Sequence, residues 1–63
     1  MAFQTQDGQT LVRAAGDAAR NVGEAVANAI GREGSPAAQA DEIDRRVAIL
    51  TDLVQKARDA EGV

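Results

Sequence analysis

GREGSP, residues 31–36, is the one clear break in a 63-residue chain that otherwise reads as helix. Gly31 suits the left-handed position that follows a helix C-terminus. Gly34 adds conformational freedom. Ser35-Pro36 is a start signal: the serine hydroxyl can accept from the open N–H groups of a first turn, and proline fits the first helical position, where an N–H would have no partner anyway. A connection of about five residues is the length that joins antiparallel helix neighbours. The sequence therefore predicts an all-α, two-helix antiparallel hairpin. Its parts are an N-terminal arm (residues 1–9), a first helix (10–30), a loop (31–35), a second helix (36–60) and a tail (61–63).

Working upstream, the first helix carries two apolar seams. Leu11, Ala15, Ala18, Val22, Ala25 and Ala29 follow a 4-3-4-3-4 spacing, and Val12, Gly16, Ala19, Gly23, Val26 and Ile30 repeat it one residue on. At about 100° per residue the two seams lie side by side. Arg13, Asp17, Arg20 and Glu24 fall on the other side. Arg13 with Asp17, and Arg20 with Glu24, are spaced for i,i+4 pairs worth a few tenths of a kcal/mol each. Gly16 and Gly23 each cost roughly 1 kcal/mol of helix propensity against alanine. A close approach by another backbone would offset that cost, and this spacing predicts one. Thr10 is the expected N-cap, with Asp7 as the competing choice. Before it, TQDG at residues 5–8 has turn chemistry. Phe3, the single aromatic residue, is expected to anchor the arm on a neighbour.

Downstream, the expected seam of the second helix is Ala40, Ile43, Val47, Leu50, Val54 and Ala57, spaced 3-4-3-4-3. Asp41 and Arg45, Glu42 and Arg46, and Asp52 and Lys56 are set for i,i+4 pairs. Lys56 and Arg58 favour the negative end of the helix dipole. The expected hairpin core is Leu11, Val22, Ile43, Val47, Leu50 and Val54. Ile49 and Leu53 lie on the flank. Together with Phe3, Val12, Gly16, Ala19, Gly23 and Val26 they form the expected partner interface, because a two-helix hairpin covers only one seam on each helix and exposed apolar stripes mark interaction surfaces.

The composition narrows the chemistry. The chain has no His, Cys, Tyr or Trp. A Ser-His or Cys-His nucleophile within one chain is therefore impossible, and Ser35, the only serine, is best used as a cap. The acids Asp41, Glu42 and Asp44 point in different directions on a helix, each with an arginine nearby, so they read as a solvated first-turn cluster. GREG, residues 31–34, lacks the spacing of a phosphate-binding loop. No catalytic residue, cofactor, metal or small-molecule substrate is expected.

The net charge is −3. It divides into −1 for residues 1–34, with three arginines against four acids, and −2 for residues 35–63, with four bases against six acids. Neither half has the basic footprint of a nucleic-acid binder. No apolar run approaches the roughly 20 residues of a membrane span, and the N-terminus lacks a signal-peptide pattern. The sequence predicts a soluble protein made in the cytoplasm.

A chain this short is marginal alone, and small scaffolds need disulfides, metal or oligomerisation. With cysteine absent, association remains. The expected function is that of a non-enzymatic structural or interaction protein. It would be a homo-oligomer or a subunit of a larger protein assembly, such as a phage particle or a filament. The alternative is a small adaptor or inhibitor that docks one helix on a partner protein.

Overall fold

The computed structural model describes residues 2–31 and 34–62. Two helices make up the fold, α1 (Gln6–Ala29) and α2 (Pro36–Glu61), with no strand among the described residues. They lie antiparallel as an all-α hairpin: at one end Glu61 of α2 meets Thr5, and part-way along Arg46 of α2 meets Asn21.

α1 begins four residues before the expected start at Thr10, which lies exposed inside the helix. The cap is Thr5, whose hydroxyl accepts from the Gly8 N–H at 2.9 Å. Asp7 therefore sits in the first turn, where a carboxylate meets the positive end of the dipole. The turn chemistry of residues 5–8 is absorbed into a helix start because a tertiary contact holds it there. The Glu61 carboxylate accepts from the backbone N–H of Gln4 at 2.8 Å and of Thr5 at 2.7 Å, and from the Thr5 hydroxyl. Gln9 ties the arm further, its side-chain amide donating to the Phe3 carbonyl at 3.1 Å.

α1 ends at the C-cap Ile30, followed by Gly31 at φ +72°. Ser35 caps α2 through its bond from the Ala38 N–H, Pro36 opens the helix, and Gly62 closes it at φ +79°. Arg32 and Glu33 of the expected loop, Met1 of the arm and Val63 of the tail lie outside the described residues.

The seam of α1 is Gly8, Leu11, Ala15, Ala18, Val22, Ala25 and Ala29, all buried or half-buried. The seam expected for α2 is corrected. Gln39, Ile43, Arg46, Leu50, Leu53, Ala57 and Ala60 face α1, whereas Ala40, Val47 and Val54 are exposed. Ile43, Leu50 and Ala57 belong to both patterns, so the flanking residues decide the rotation. The observed one, turned by about 60° at 100° per residue, half-buries Leu53 and lets Arg46 reach α1. The buried positions among the described residues are small: Gly8, Ala15, Ala18, Ala25 and Ala57, with no large side chain wholly enclosed.

Candidate interaction surface

A hairpin has two broad faces, and helical geometry sorts the remaining residues between them. Looking down α1 from its N-terminus, residue directions advance clockwise; along the antiparallel α2 they advance anticlockwise. The α1 stripe about 100° past its seam and the α2 stripe about 90° past its own therefore look the same way. One face thus carries Val12, Gly16, Ala19, Gly23 and Val26 of α1 beside Ala40, Val47 and Val54 of α2. Val47 is 40% exposed and Val54 37%, so each is half-covered by its own helix and half-open. Over the span of these residues no charged side chain lies between the two stripes; Arg58 follows one turn past Val54 on the α2 stripe.

The other face is polar. It holds an open cleft of about 340 Å³ lined by Ala18, Asn21, Glu24, Glu42, Arg45, Arg46 and Ile49. Glu42 accepts from Arg45 at 3.0 Å and from Arg46 at 2.9 Å, while Arg46 also donates to the Asn21 carbonyl at 2.9 Å. The arginines are thus engaged within the chain. Arg46 occupies a seam position because its long stem can lie along the helix contact while its guanidinium emerges at the edge.

Each residue expected at a partner interface has a definite place. Val12, Gly16, Ala19, Gly23 and Val26 share the apolar face. Ile49 stands on the opposite, polar face and is 54% exposed. Leu53 is half-buried in the seam, and Phe3 is half-buried in the arm. Of the expected core, Leu11, Val22, Ile43 and Leu50 are half-buried in the seam, and Val47 and Val54 lie outside it. A Cβ built at Gly16 or Gly23 meets nothing within 4 Å, so no part of this chain closes on either glycine.

Gly8 is the glycine with a close approach. A Cβ there would stand 2.5 Å from the Glu61 Oε2 and 2.8 Å from the Thr5 Oγ1. In a capping box the side chain three residues after the cap reaches back to the cap N–H. Here that position is Gly8, which has no side chain, and Glu61 of the other helix takes the same bond. The Thr5 hydroxyl, then the Gln4 and Thr5 N–H groups, hold the Glu61 carboxyl below its ordinary pKa. Reading the α1 seam one step upstream of Leu11 would have found Gly8.

Among the described residues, no helix is long and apolar enough to cross a membrane, and no group of three or more His, Cys, Asp or Glu residues could hold a metal ion. The ion pairs are short-range: Asp17–Arg20 at 3.9 Å and Asp52–Lys56 at 3.0 Å are exposed, and Glu42 pairs with exposed Arg45 and half-buried Arg46. The expected i,i+4 pair partners of α1 are replaced by the i,i+3 pair Asp17–Arg20, and Arg45 turns to Glu42 rather than Asp41. No protein-family model, curated protein or solved structure matches the chain.

Proposed function

We propose that this protein is a non-enzymatic helical subunit that works by packing its apolar face against other protein chains. The observation that carries the reading is the contrast between core and surface. Among the described residues the buried core is Gly8 and four alanines, while Val12, Val26, Val47 and Val54 line an open face on which Arg58 stands one turn beyond Val54. A hairpin of this size gains little from its own interior. Covering the face removes further apolar area from water at about 25 cal/mol per Å². A phage particle or a filament is the kind of assembly in which so small a subunit would serve.

The test is native size fractionation of the chain from its own cells. The expected result is elution well above its 6.5 kDa mass. A variant with Val12, Val26, Val47 and Val54 changed to serine is expected to stay helical and to elute as a monomer. Elution of the unaltered chain at its own mass in native extracts would refute the proposal.

A further inference from the structure

We infer that the occupant of the apolar face is a second copy of this chain, paired about a two-fold axis that passes through Ala19 and Val47. The inference rests on the docking reading above and names its partner.

The register follows from the fold. Glu61 bonds Thr5, so these residues stand level across the hairpin. Ala19 lies 14 residues after Thr5, and Val47 lies 14 residues before Glu61, so Ala19 and Val47 are level too. Each is the centre of a stripe with seven-residue steps: Val12, Ala19 and Val26 on α1, and Ala40, Val47 and Val54 on α2. The two stripes thus share one midpoint. A two-fold axis perpendicular to both helices and through that midpoint lays α1 on α1 and α2 on α2, antiparallel. It sets Ala19 and Val47 against their own copies, Val12 against Val26, and Val54 against Ala40. A two-fold contact requires such a self-complementary patch.

The small residues fit this arrangement. Gly16 and Gly23 flank Ala19, and with open space above both the paired α1 helices can approach at the close end of the usual 8–10 Å separation. The size of the face suits it as well. The hairpin measures 43 × 15 × 14 Å between Cα atoms. Its broad face therefore covers about 650 Å² before side chains widen it, close to the ~800 Å² per partner of a standard interface.

Charge selects between the two possible axes. With the perpendicular axis, the outer edge of α1 meets itself reversed. Arg13 then comes level with the partner's Glu24 and Arg20 with the partner's Asp17, so opposite signs face each other at the α1 rim, while at the α2 rim Asp41 comes level with the partner's Asp52. With an axis parallel to the helices, α1 would lie on α2: Arg13 would come level with the partner's Asp52, but Glu24 with the partner's Asp41 and Arg20 with the partner's Arg45, like against like. Rim charges act mainly on register and specificity, which is the choice at issue.

The test uses single cysteines in a chain that has none. Sedimentation equilibrium of the purified chain across a wide concentration range is expected to give a mass rising from 6.5 kDa to about twice that. Under mild oxidation Ala19→Cys and Val47→Cys are each expected to form a symmetric disulfide dimer, because on-axis Cα atoms of closely packed helices fall within disulfide reach. Ile49→Cys, on the opposite face, is expected to stay largely unlinked. Cross-linking only when Ala19→Cys and Val47→Cys are mixed would overturn the perpendicular axis. A dimer that links through Ile49→Cys instead would overturn the choice of face. A chain that stays monomeric at every concentration would overturn self-pairing, while elution at high mass from native extracts would then still support docking on a different protein.

Discussion

Gly8→Ala separates helix propensity from tertiary structure. Propensity alone predicts a gain, since alanine in place of a helical glycine is worth up to about 1 kcal/mol. For a domain of this size that is a rise in melting temperature of about 4–8 °C. The structure predicts the opposite sign. The new Cβ would lie 2.5 Å from the Glu61 Oε2 and 2.8 Å from the Thr5 Oγ1. Both are side-chain atoms, so the clash is relieved when they swing away, not by bending the backbone. Moving the Thr5 hydroxyl gives up the cap on the Gly8 N–H, a loss of about 0.5–2 kcal/mol for such caps. That alone offsets the propensity gain. Moving Glu61 also releases the N–H groups of Gln4 and Thr5, and the balance then falls on the side of destabilisation. Thermal unfolding followed by circular dichroism at pH 7 is expected to show a lower midpoint for Gly8→Ala. In a Glu61→Ala background the same substitution is expected to be neutral or stabilising, because the carboxylate that it strikes is gone; coupled neighbours show this kind of non-additivity. A melting temperature that rises by the propensity amount in the unaltered background would refute the cross-helix cap.

The other predictions concern pH, the seam and the second cap. Glu61 has a lowered pKa in the folded chain, so its contribution is complete above the ordinary value of 4.5 and is lost as pH falls from there through the folded pKa. Acid titration of the melting temperature is expected to show this loss, and Glu61→Gln is expected to flatten that part of the profile. Leu50→Ala is expected to cost about 1–2.5 kcal/mol, half the fully buried range because Leu50 is half-buried. Val47→Ala in the dilute chain is expected to cost less than about 1 kcal/mol, because Val47 lies outside the seam. Urea unfolding that ranks Val47 at or above Leu50 would restore the seam read from sequence. Ser35→Ala is expected to cost about 0.5–1 kcal/mol, the low end for caps, because the Ala38 N–H to Ser35 bond is long at 3.4 Å.

What the sequence made legible was whatever depends on local chemistry. Gly31, Ser35, Pro36 and Gly62 mark helix ends through backbone conformation and capping, which need no knowledge of the neighbour. In α1 the buried seam is the one read from Leu11 to Ala29, although the stripe from Val12 to Ile30 repeats its spacing one residue on. α2 was ambiguous for a physical reason. Ile43, Leu50 and Ala57 are shared by two seams about 60° apart, and apolar residues flank them on both sides, Leu53 on one and Val47 and Val54 on the other. Hydrophobic pattern cannot rank such alternatives. The choice goes with the hydrogen bond that Arg46 makes across the hairpin and with the place of Leu53; the local reading of Arg46 is simply charged and solvated. The start of α1 was hidden in the same way, because what holds Thr5 and Gly8 in a helical turn lies more than fifty residues away in sequence. The apolar face was half-legible. Its α1 stripe follows from periodicity, but its α2 half could not be placed until the seam was known.

The rotation of α2 and the open face are therefore one event. Turning Val47 and Val54 toward α1 would have left Leu53 and Arg46 outside the hairpin and removed the valines from the surface, whereas Glu61, one heptad past Val54, stays on the α1 side in either rotation. The observed rotation satisfies Arg46 within the chain and places Val47 and Val54 level with the stripe of α1. A hairpin selected only for stability as a monomer has little to gain from that exchange, since two half-open valines bury only part of their apolar area. With a partner on the face, the same rotation buries Leu53 inside the chain and the valines between chains, more apolar surface than either rotation encloses alone. Association and folding are then linked by mass action, and stability must rise with concentration. The melting temperature of the unaltered chain is accordingly expected to increase steadily with concentration, and that of Val47→Ser to be independent of it. A concentration-independent midpoint for the unaltered chain would mean that the valine face adds nothing to stability through self-association.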